Sequence, residues 1–372
     1  MRIGVPKEIK KHEYRVGLTP SAVSKYVAEG HELYVERNAG IGTGFTDTDY
    51  IKAGAIICDV KNTFDKAEMI IKVKEPQTSE LSYFRKDHIL FTYLHLAADK
   101  KLTEELVDIG LTTIAYETIQ LPNRSHPCLT PMSEIAGRLS VQEGAKYLET
   151  PFGGAGILLG GIPGVKRGKV VILGGGVVGF NAAKIASGIG AYTSILDISQ
   201  ERLAYLDDVF GSSVQTLFSN DANIESEIAD ADVVIGSVYV HGASAPKLVR
   251  KSHLKNMKKG AVLVDVAIDQ GGCFETSRPT THEDPIFDYE GIVHYCVANI
   301  PGAVPRTSSA ALNQATLPFI QRIAQAGVEA ALNQDPNLLA GLAIYHSCLV
   351  SSEVALAHQL PWTDPADLAL TR

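Results

Sequence analysis

Apolar and polar positions along the chain fall into blocks of two kinds. Short runs of β-branched and aliphatic residues read as strands covered on both faces. Longer stretches with apolar residues every three or four positions read as amphipathic helices. In the first third this predicts strands at 2–5, 32–36, 69–73, 88–94 and 112–116, with helices at 20–29, 47–53 and 103–109. Strands and helices in alternation mean a parallel α/β domain. Thr130-Pro131 reads as a helix start, with Thr as the cap and Pro at the first helical position. The pattern then runs to about residue 149 through Ile135, Leu139, Val141, Ala145 and Leu148, long enough for a strut between domains.

A second alternating series follows a glycine-rich stretch at 151–168, with strands at 170–173, 192–196, 214–218, 233–236, 261–265 and 292–295. Residues 299–305 read as a rigid turn. Residues 308–331 read as one long helix, with Pro318 as its kink. The chain then returns to its first domain. The expected division is 1–129 plus 306–372 against 130–305.

The strand at 170–173 runs into Gly174, Gly176 and Gly179, a G-x-G-x-x-G series. The first glycine permits the tight turn, the second lets backbone approach a pyrophosphate, and the third lets helix and strand pack closely. Val177 and Val178 open a helix expected to reach Gly190, and its N-terminal N–H groups would face the phosphates. Three glycines alone are weak evidence. Here a strand precedes them, a helix follows, and a second strand ends in Asp197 about 20 residues on, which makes the series a dinucleotide fingerprint. The Asp197 carboxylate would accept from the adenosine ribose hydroxyls and repel a 2′-phosphate, so NAD is expected over NADP. Arg202 weighs against that choice slightly, since a guanidinium near the ribose can meet a phosphate. The glycines before Lys169 do not form a phosphate-binding P-loop, because the spacing from Gly164 is short and Val170 replaces the Ser or Thr that would hold Mg²⁺. The fold class is therefore α/β, with two Rossmann-like domains of parallel sheets joined by long helices and an active site expected in the interdomain cleft.

Composition narrows this further. A chain of 372 residues, 45% hydrophobic and 20% charged, is globular and long enough for two cores. A net charge of −8 without a basic stripe argues against a nucleic-acid partner. The N-terminal residues have no apolar core of a secretory signal, and no stretch is long and apolar enough to span a bilayer, so a soluble, cytoplasmic protein is expected. The five cysteines are scattered singly, which suits buried thiols in a reducing compartment. No metal site is expected.

Four residues at strand ends are candidates for chemistry. Arg15, in Glu13-Tyr-Arg-Val-Gly-Leu-Thr-Pro20, lies after the first strand, where a guanidinium can fork onto a carboxylate. Lys74 ends the run from Met69 and can polarise a carbonyl, although Lys72 competes for that role. His95 follows residues 89–94 and has the right ordinary pKa for proton transfer near neutral pH. Asp269, in Asp265-Val-Ala-Ile-Asp-Gln-Gly-Gly272, follows a strand of the nucleotide domain, with Asp265 as the alternative.

These stretches, together with Gly4-Val-Pro-Lys-Glu8, Val73-Lys-Glu-Pro76, Thr92-Tyr-Leu-His-Leu96, Gly137-Arg-Leu-Ser140, Gly174-Gly-Gly-Val-Val-Gly179 and Asn299-Ile-Pro-Gly-Ala-Val-Pro305, resemble bacterial alanine dehydrogenases over essentially the whole chain. The resemblance implies reversible NAD-dependent oxidative deamination of L-alanine to pyruvate and ammonium. It implies Arg15 and Lys74 on the substrate carboxylate and carbonyl, His95 as acid and base, and Asp269 beside the reacting carbon. Met132 and Asn299 would complete the substrate pocket, with Met132 towards its nicotinamide side. NAD contacts would come from Ser133, Asp197, Arg202, Ser219, Val238, Tyr239, Val266, Ala267, Ile268, Asp269, Arg278, Val297, Ala298, Asn299 and Ile300. A homo-hexamer is implied as well. Cys296 and Ala298 stand where relatives more often carry Gly and Pro, Arg306 is a further departure, and residues 361–372 match nothing useful. The rival families are the NAD-binding component of a proton-translocating transhydrogenase and the opine-type, saccharopine-like dehydrogenases. The former lacks the Lys74, His95 and Asp269 positions.

Overall fold

The computed structural model describes residues 1–238 and 245–368. The chain forms two compact units, Met1–Met132 with Val304–Arg372, and Ser133–Ala303. Its strands in order are β1 (Arg2–Val5), β2 (Glu32–Glu36), β3 (Ile56–Cys58), β4 (Met69–Ile71), β5 (Ile89–Thr92), β6 (Thr112–Ala115), β7 (Lys169–Leu173) and β8 (Tyr192–Asp197). They continue as β9 (Gln215–Phe218), β10 (Val233–Gly236), β11 (Val262–Asp265), β12 (Ile286–Tyr289), β13 (Ile292–Tyr295), β14 (Leu342–Tyr345) and β15 (Cys348–Leu349).

In the first unit the order is β3-β2-β1-β4-β5-β6, all parallel, followed by antiparallel β14 and β15. The second unit repeats the plan as β9-β8-β7-β10-β11-β13, with antiparallel β12 at the edge. Each sheet reverses direction of growth once, between β1 and β4 and between β7 and β10. In open α/β sheets ligands bind at that switch point, outside the carboxyl ends of the strands. Central strands β4, β5, β10 and β11 are buried along their length and β7 from Val170 onwards, as their largely apolar sequences require.

The loop after β1 is fixed from the far end of the chain. Helix Pro20–Ala28 starts at an extended Thr19 with Pro20 in its first turn. The Thr19 N–H donates to Asn313 Oδ1 at 2.6 Å, the Val16 N–H to Ser309 Oγ at 3.1 Å, and Asn313 Nδ2 to the Gly17 carbonyl at 2.7 Å. Ser309 and Asn313 lie on helix Pro305–Ala326, which is why the first unit needs the returning segment.

Several sequence expectations need correction. Thr130 is not a cap: its N–H and hydroxyl both donate to the His126 carbonyl at 2.9 Å, inside helix Thr130–Tyr147. The long final helix does not reach residue 331. It stops at Ala326, because Gly327 takes φ +82°, and Val328–Gln334 is a separate helix. Strands β3, β12, β14 and β15 were not anticipated from the pattern. They are edge or near-edge strands: β3 and β15 are very short and β12 is partly exposed, whereas β14 is a buried apolar run whose antiparallel place beside β6 follows a helical segment.

Candidate functional site

The first unit collects Arg15, Lys74 and His95 at the carboxyl ends of β1, β4 and β5. Arg15 is 2% exposed and forks onto Glu13, with Nε donating to Oε1 at 2.7 Å and Nη2 to Oε2 at 2.6 Å. Its Nη1 lies 3.2 Å from the thioether of Met132, a weak acceptor. Burial would lower the Arg15 pKa, but the Glu13 hydrogen bonds and charge reverse the sign and raise it. Arg15 also holds the Glu13 carboxyl below its usual range against the opposing effect of burial. This guanidinium is charged, rigid and oriented.

Two lysines stand near the tip of β4, and the structure separates them. Lys72 is wholly buried between Glu80 Oε1 at 2.7 Å and Glu8 Oε2 at 3.3 Å, so it is a structural ion-paired residue. Lys74, half-buried, has no hydrogen-bonded or ion-paired side-chain partner among the described residues. Burial lowers its pKa, and the nearby Arg15 charge lowers it further. Its backbone is held from both sides, with the N–H donating to Glu8 Oε1 at 3.4 Å and the carbonyl accepting from Thr92 Oγ1 at 3.0 Å. Lys74 is the ammonium left available for a ligand.

His95 takes φ +50°, a left-handed conformation uncommon for a residue with a side chain. Its ring stacks on Tyr93, with 9° between planes and 6.0 Å between centroids, and Tyr93 OH donates to the Cys128 carbonyl at 2.6 Å. The side chain is 46% exposed. Packing around the ring lowers its pKa below 6.5, opposed by Glu117 and reinforced by Lys74. The lowered pKa favours the neutral imidazole.

The second unit gathers the cofactor candidates along the carboxyl edge of its own sheet. Gly174 (φ +102°) follows β7, Asp197 ends β8, Ser219 follows β9, Val238 follows β10, and Val266 follows β11. Helix Val177–Gly188 begins at Gly176 with no side-chain cap, so no side chain caps its first N–H groups. A methyl on Gly176 would meet nothing within 4 Å, whereas one on Gly179 would run into the Gly174 carbonyl. Asp197 Oδ2 accepts from the Gly175 N–H at 2.7 Å and Oδ1 from the Ser199 N–H at 2.8 Å, while its backbone carbonyl accepts from the Ser219 N–H. Arg202 Nε donates to the Gly175 carbonyl at 2.5 Å, and its guanidinium lies over the Tyr205 ring at 4.8 Å. Open space in front of Gly176, uncapped N–H groups and a carboxylate at the next strand end fit a dinucleotide.

The remaining candidates are distributed nearby in sequence and sheet order. Ala267 is half-buried and Ile268 buried, and Asp269 is exposed on the turn after β11. Asp265, the alternative to it, is wholly buried and accepts from the Ala267, Cys273 and Phe274 N–H groups and the Ser277 hydroxyl, so it shapes the loop. Arg278 lies 4.3 Å over the Phe287 ring. Val297 bridges to Thr280, and Ala298 donates to its carbonyl. Asn299 is left-handed at φ +63°, with His282 Nε2 3.2 Å from its carbonyl, and Ile300 is buried. Ser133 is half-buried on helix Thr130–Tyr147. Tyr239 lies outside the described residues.

Comparison with known proteins decides what these edges belong to. Residues 4–136 match the N-terminal domain model "Alanine dehydrogenase/PNT", and residues 140–352 match the corresponding C-terminal domain model. The chain belongs to the alanine dehydrogenase/PNT family. A Methanococcus maripaludis alanine dehydrogenase is 55% identical over 372 residues, with all of both chains covered. A solved L-alanine dehydrogenase superposes with TM-score 0.94 at 54% identity, covering 96% of this chain and 99% of the other. A transhydrogenase from Sinorhizobium meliloti superposes with TM-score 0.82 at 23% identity over 95% and 99%, which shows a shared fold alone.

Within this alanine dehydrogenase/PNT framework, sequence reasoning did not find the acids that hold the candidates in place. Glu8, Glu13 and Glu117 had no role assigned from the sequence, and Asp265 entered only as the alternative to Asp269. Glu13, two residues before Arg15, had the one readable cue. Glu8 and Glu117 contact residues distant in sequence, whereas Asp265 holds the loop that follows it.

Proposed function

We propose that the chain catalyses the reversible NAD-dependent oxidative deamination of L-alanine to pyruvate and ammonium. Full-length identity of 55% to an alanine dehydrogenase carries the reading, and Arg15, Lys74 and His95 at one sheet edge support it. When bound, NAD supplies the hydride acceptor for Cα.

The chain's own residues do the rest. Arg15, held by the Glu13 fork, offers Nη1 to the substrate carboxylate, which replaces the thioether as the stronger acceptor. Lys74 donates to the substrate oxygen as negative charge develops there. His95 accepts a proton as water adds to the imine, and returns a proton as ammonia leaves. Asp269 orients the ammonia or hydroxyl group of the tetrahedral intermediate. Asp197 favours NAD over NADP, because a carboxylate repels a 2′-phosphate.

The proposed working form is a cytoplasmic homo-hexamer. The family resemblance supports the assembly, and five free thiols suit a reducing compartment. No helix among the described residues is long and apolar enough to cross a membrane.

The test is NADH formation with a panel of small amino acids, with NAD and NADP in parallel and light scattering for the assembly. L-alanine with NAD is expected to give the highest kcat/KM. A chain that binds NADH yet forms none from any amino acid would refute the reading.

A further inference from the structure

The register of the first sheet extends past the end of its ladder. β5 and β6 pair in parallel up to Thr92 opposite Ala115. Two residues further on each strand stand Leu94 and Glu117, where β6 has already turned into the short 3₁₀ segment Tyr116–Thr118. The backbone of β6 no longer supplies an acceptor there. The Glu117 side chain does: Oε1 accepts from the Leu94 N–H at 3.0 Å and the His95 N–H at 2.6 Å, while Oε2 accepts from Leu94 at 3.2 Å.

These bonds fall at the residue with left-handed φ. A non-glycine residue in that region costs on the order of 1 kcal/mol or more and persists when its surroundings fix it. Two adjacent N–H groups aimed at one carboxylate do so. The same Oε1 lies 4.0 Å from His95 Nδ1, too long for a hydrogen bond but close for a charge. With Nδ1 turned towards Glu117 and one ring face on Tyr93, Nε2 is the nitrogen left for the substrate.

We propose that Glu117 is the positioning residue of His95, fixing its left-handed backbone through the Leu94 and His95 N–H groups and directing Nε2 to the reacting group. Its acceptor role and its charge are separable, because glutamine keeps an oxygen and loses the charge. The assignment rests on His95 being the proton carrier of the proposed alanine reaction.

Other groups around His95 bear on its titration. Glu117 and Glu75 favour the imidazolium, whereas Lys74 and Lys10 oppose it. His358, on helix Ser352–His358, meets the Leu96 carbonyl at 2.7 Å next in the chain. Removing the Glu117 charge leaves the lysines opposed by Glu75 alone, so the His95 pKa moves down.

The experiment uses the full chain without cofactor. The rate of His95 carbethoxylation by diethylpyrocarbonate, read by peptide mass spectrometry against pH, gives the ring's titration directly. E117Q is expected to shift that midpoint down by roughly one unit, a screened fraction of a charge pair at this separation. In alanine oxidation the acid limb of kcat/KM should follow it down. E117A, which also loses the backbone acceptors, is expected to lower kcat about 10- to 100-fold with KM for alanine within about two-fold. If E117A does not fold, E117D, which keeps carboxylate and acceptors on a shorter arm, should recover the wild-type titration more closely than E117Q. An unshifted His95 midpoint in E117Q, or wild-type turnover in E117A, would overturn the proposal. Because carbethoxylation needs no substrate, wild-type failure to oxidise alanine would reject the reaction and leave the Glu117 result readable.

Discussion

Replacing two glycines of one turn with alanine separates a fold requirement from a cofactor requirement. At Gly179 a Cβ would overlap the Gly174 carbonyl oxygen and stand 3.0 Å from the Gly174 carbonyl carbon and from Ser237 Oγ. Comfortable carbon contacts lie at about 3.5–4.0 Å, and the obstacle is backbone. Gly174 itself cannot swing away easily, since its φ of +102° is open to glycine and its carbonyl accepts from Ser237 Oγ at 2.9 Å. Helix Val177–Gly188 must therefore retreat from β7 by on the order of 1 Å, at a cost of about 1–3 kcal/mol for overpacking. The uncapped N–H groups move with it. G179A is thus expected to lower the Tm of the free protein and to weaken NADH binding at least tenfold, a loss of about 1.4 kcal/mol or more. Gly176 has an ordinary φ of −63° and nothing within 4 Å of an added Cβ. G176A should melt within about a degree of wild type, since surface changes away from packed groups cost little, yet bind NADH at least tenfold less tightly, because the methyl fills space the pyrophosphate needs. Thermal melts without cofactor and NADH fluorescence titrations test both. Unaltered melting in G179A, or NADH affinity within two-fold of wild type in G176A, would refute the reasoning.

H95A should lower kcat about 10²- to 10⁴-fold. In the wild type, kcat/KM for alanine should fall as pH drops through a midpoint below 6.5, because His95 works as the neutral base and its pKa is lowered. A pH-rate profile in which the limb persists in H95A would assign it elsewhere. K72M should destabilise the chain by about 3–5 kcal/mol in urea unfolding, since it strands the buried Glu8 and Glu80 carboxylates; an unchanged midpoint would show that the triad is dispensable. D197A should raise kcat/KM with NADP relative to NAD, and an unaltered ratio would place coenzyme choice outside Asp197.

Much of this was legible in the chain. The apolar runs at 2–5, 69–73, 88–94, 170–173 and 192–196 marked the central strands. In a parallel sheet strand ends are where side chains reach a ligand, so Arg15, Lys74 and His95 could be named in advance. The glycine turn was readable because its requirement is local: φ at Gly174 and the absence of Cβ at Gly179 follow from three residues and their spacing. Lys72 and Lys74 were not separable, nor were Asp265 and Asp269. Each pair shares a residue type and a strand end, and only packing shows which member is enclosed.

Sequence alone determined the periodicities, the phosphate-binding turn and the kinds of side chain available at each strand end, since these depend on neighbours along the chain. Tertiary structure decided which charges are spent on the fold and which remain for chemistry. Glu8 reaches Lys72 and Lys74, and Glu117 reaches His95, because parallel pairing sets distant strand ends side by side. That register, and the return of residues 305–326 to hold the Arg15 loop through Ser309 and Asn313, exists only once the sheet has formed.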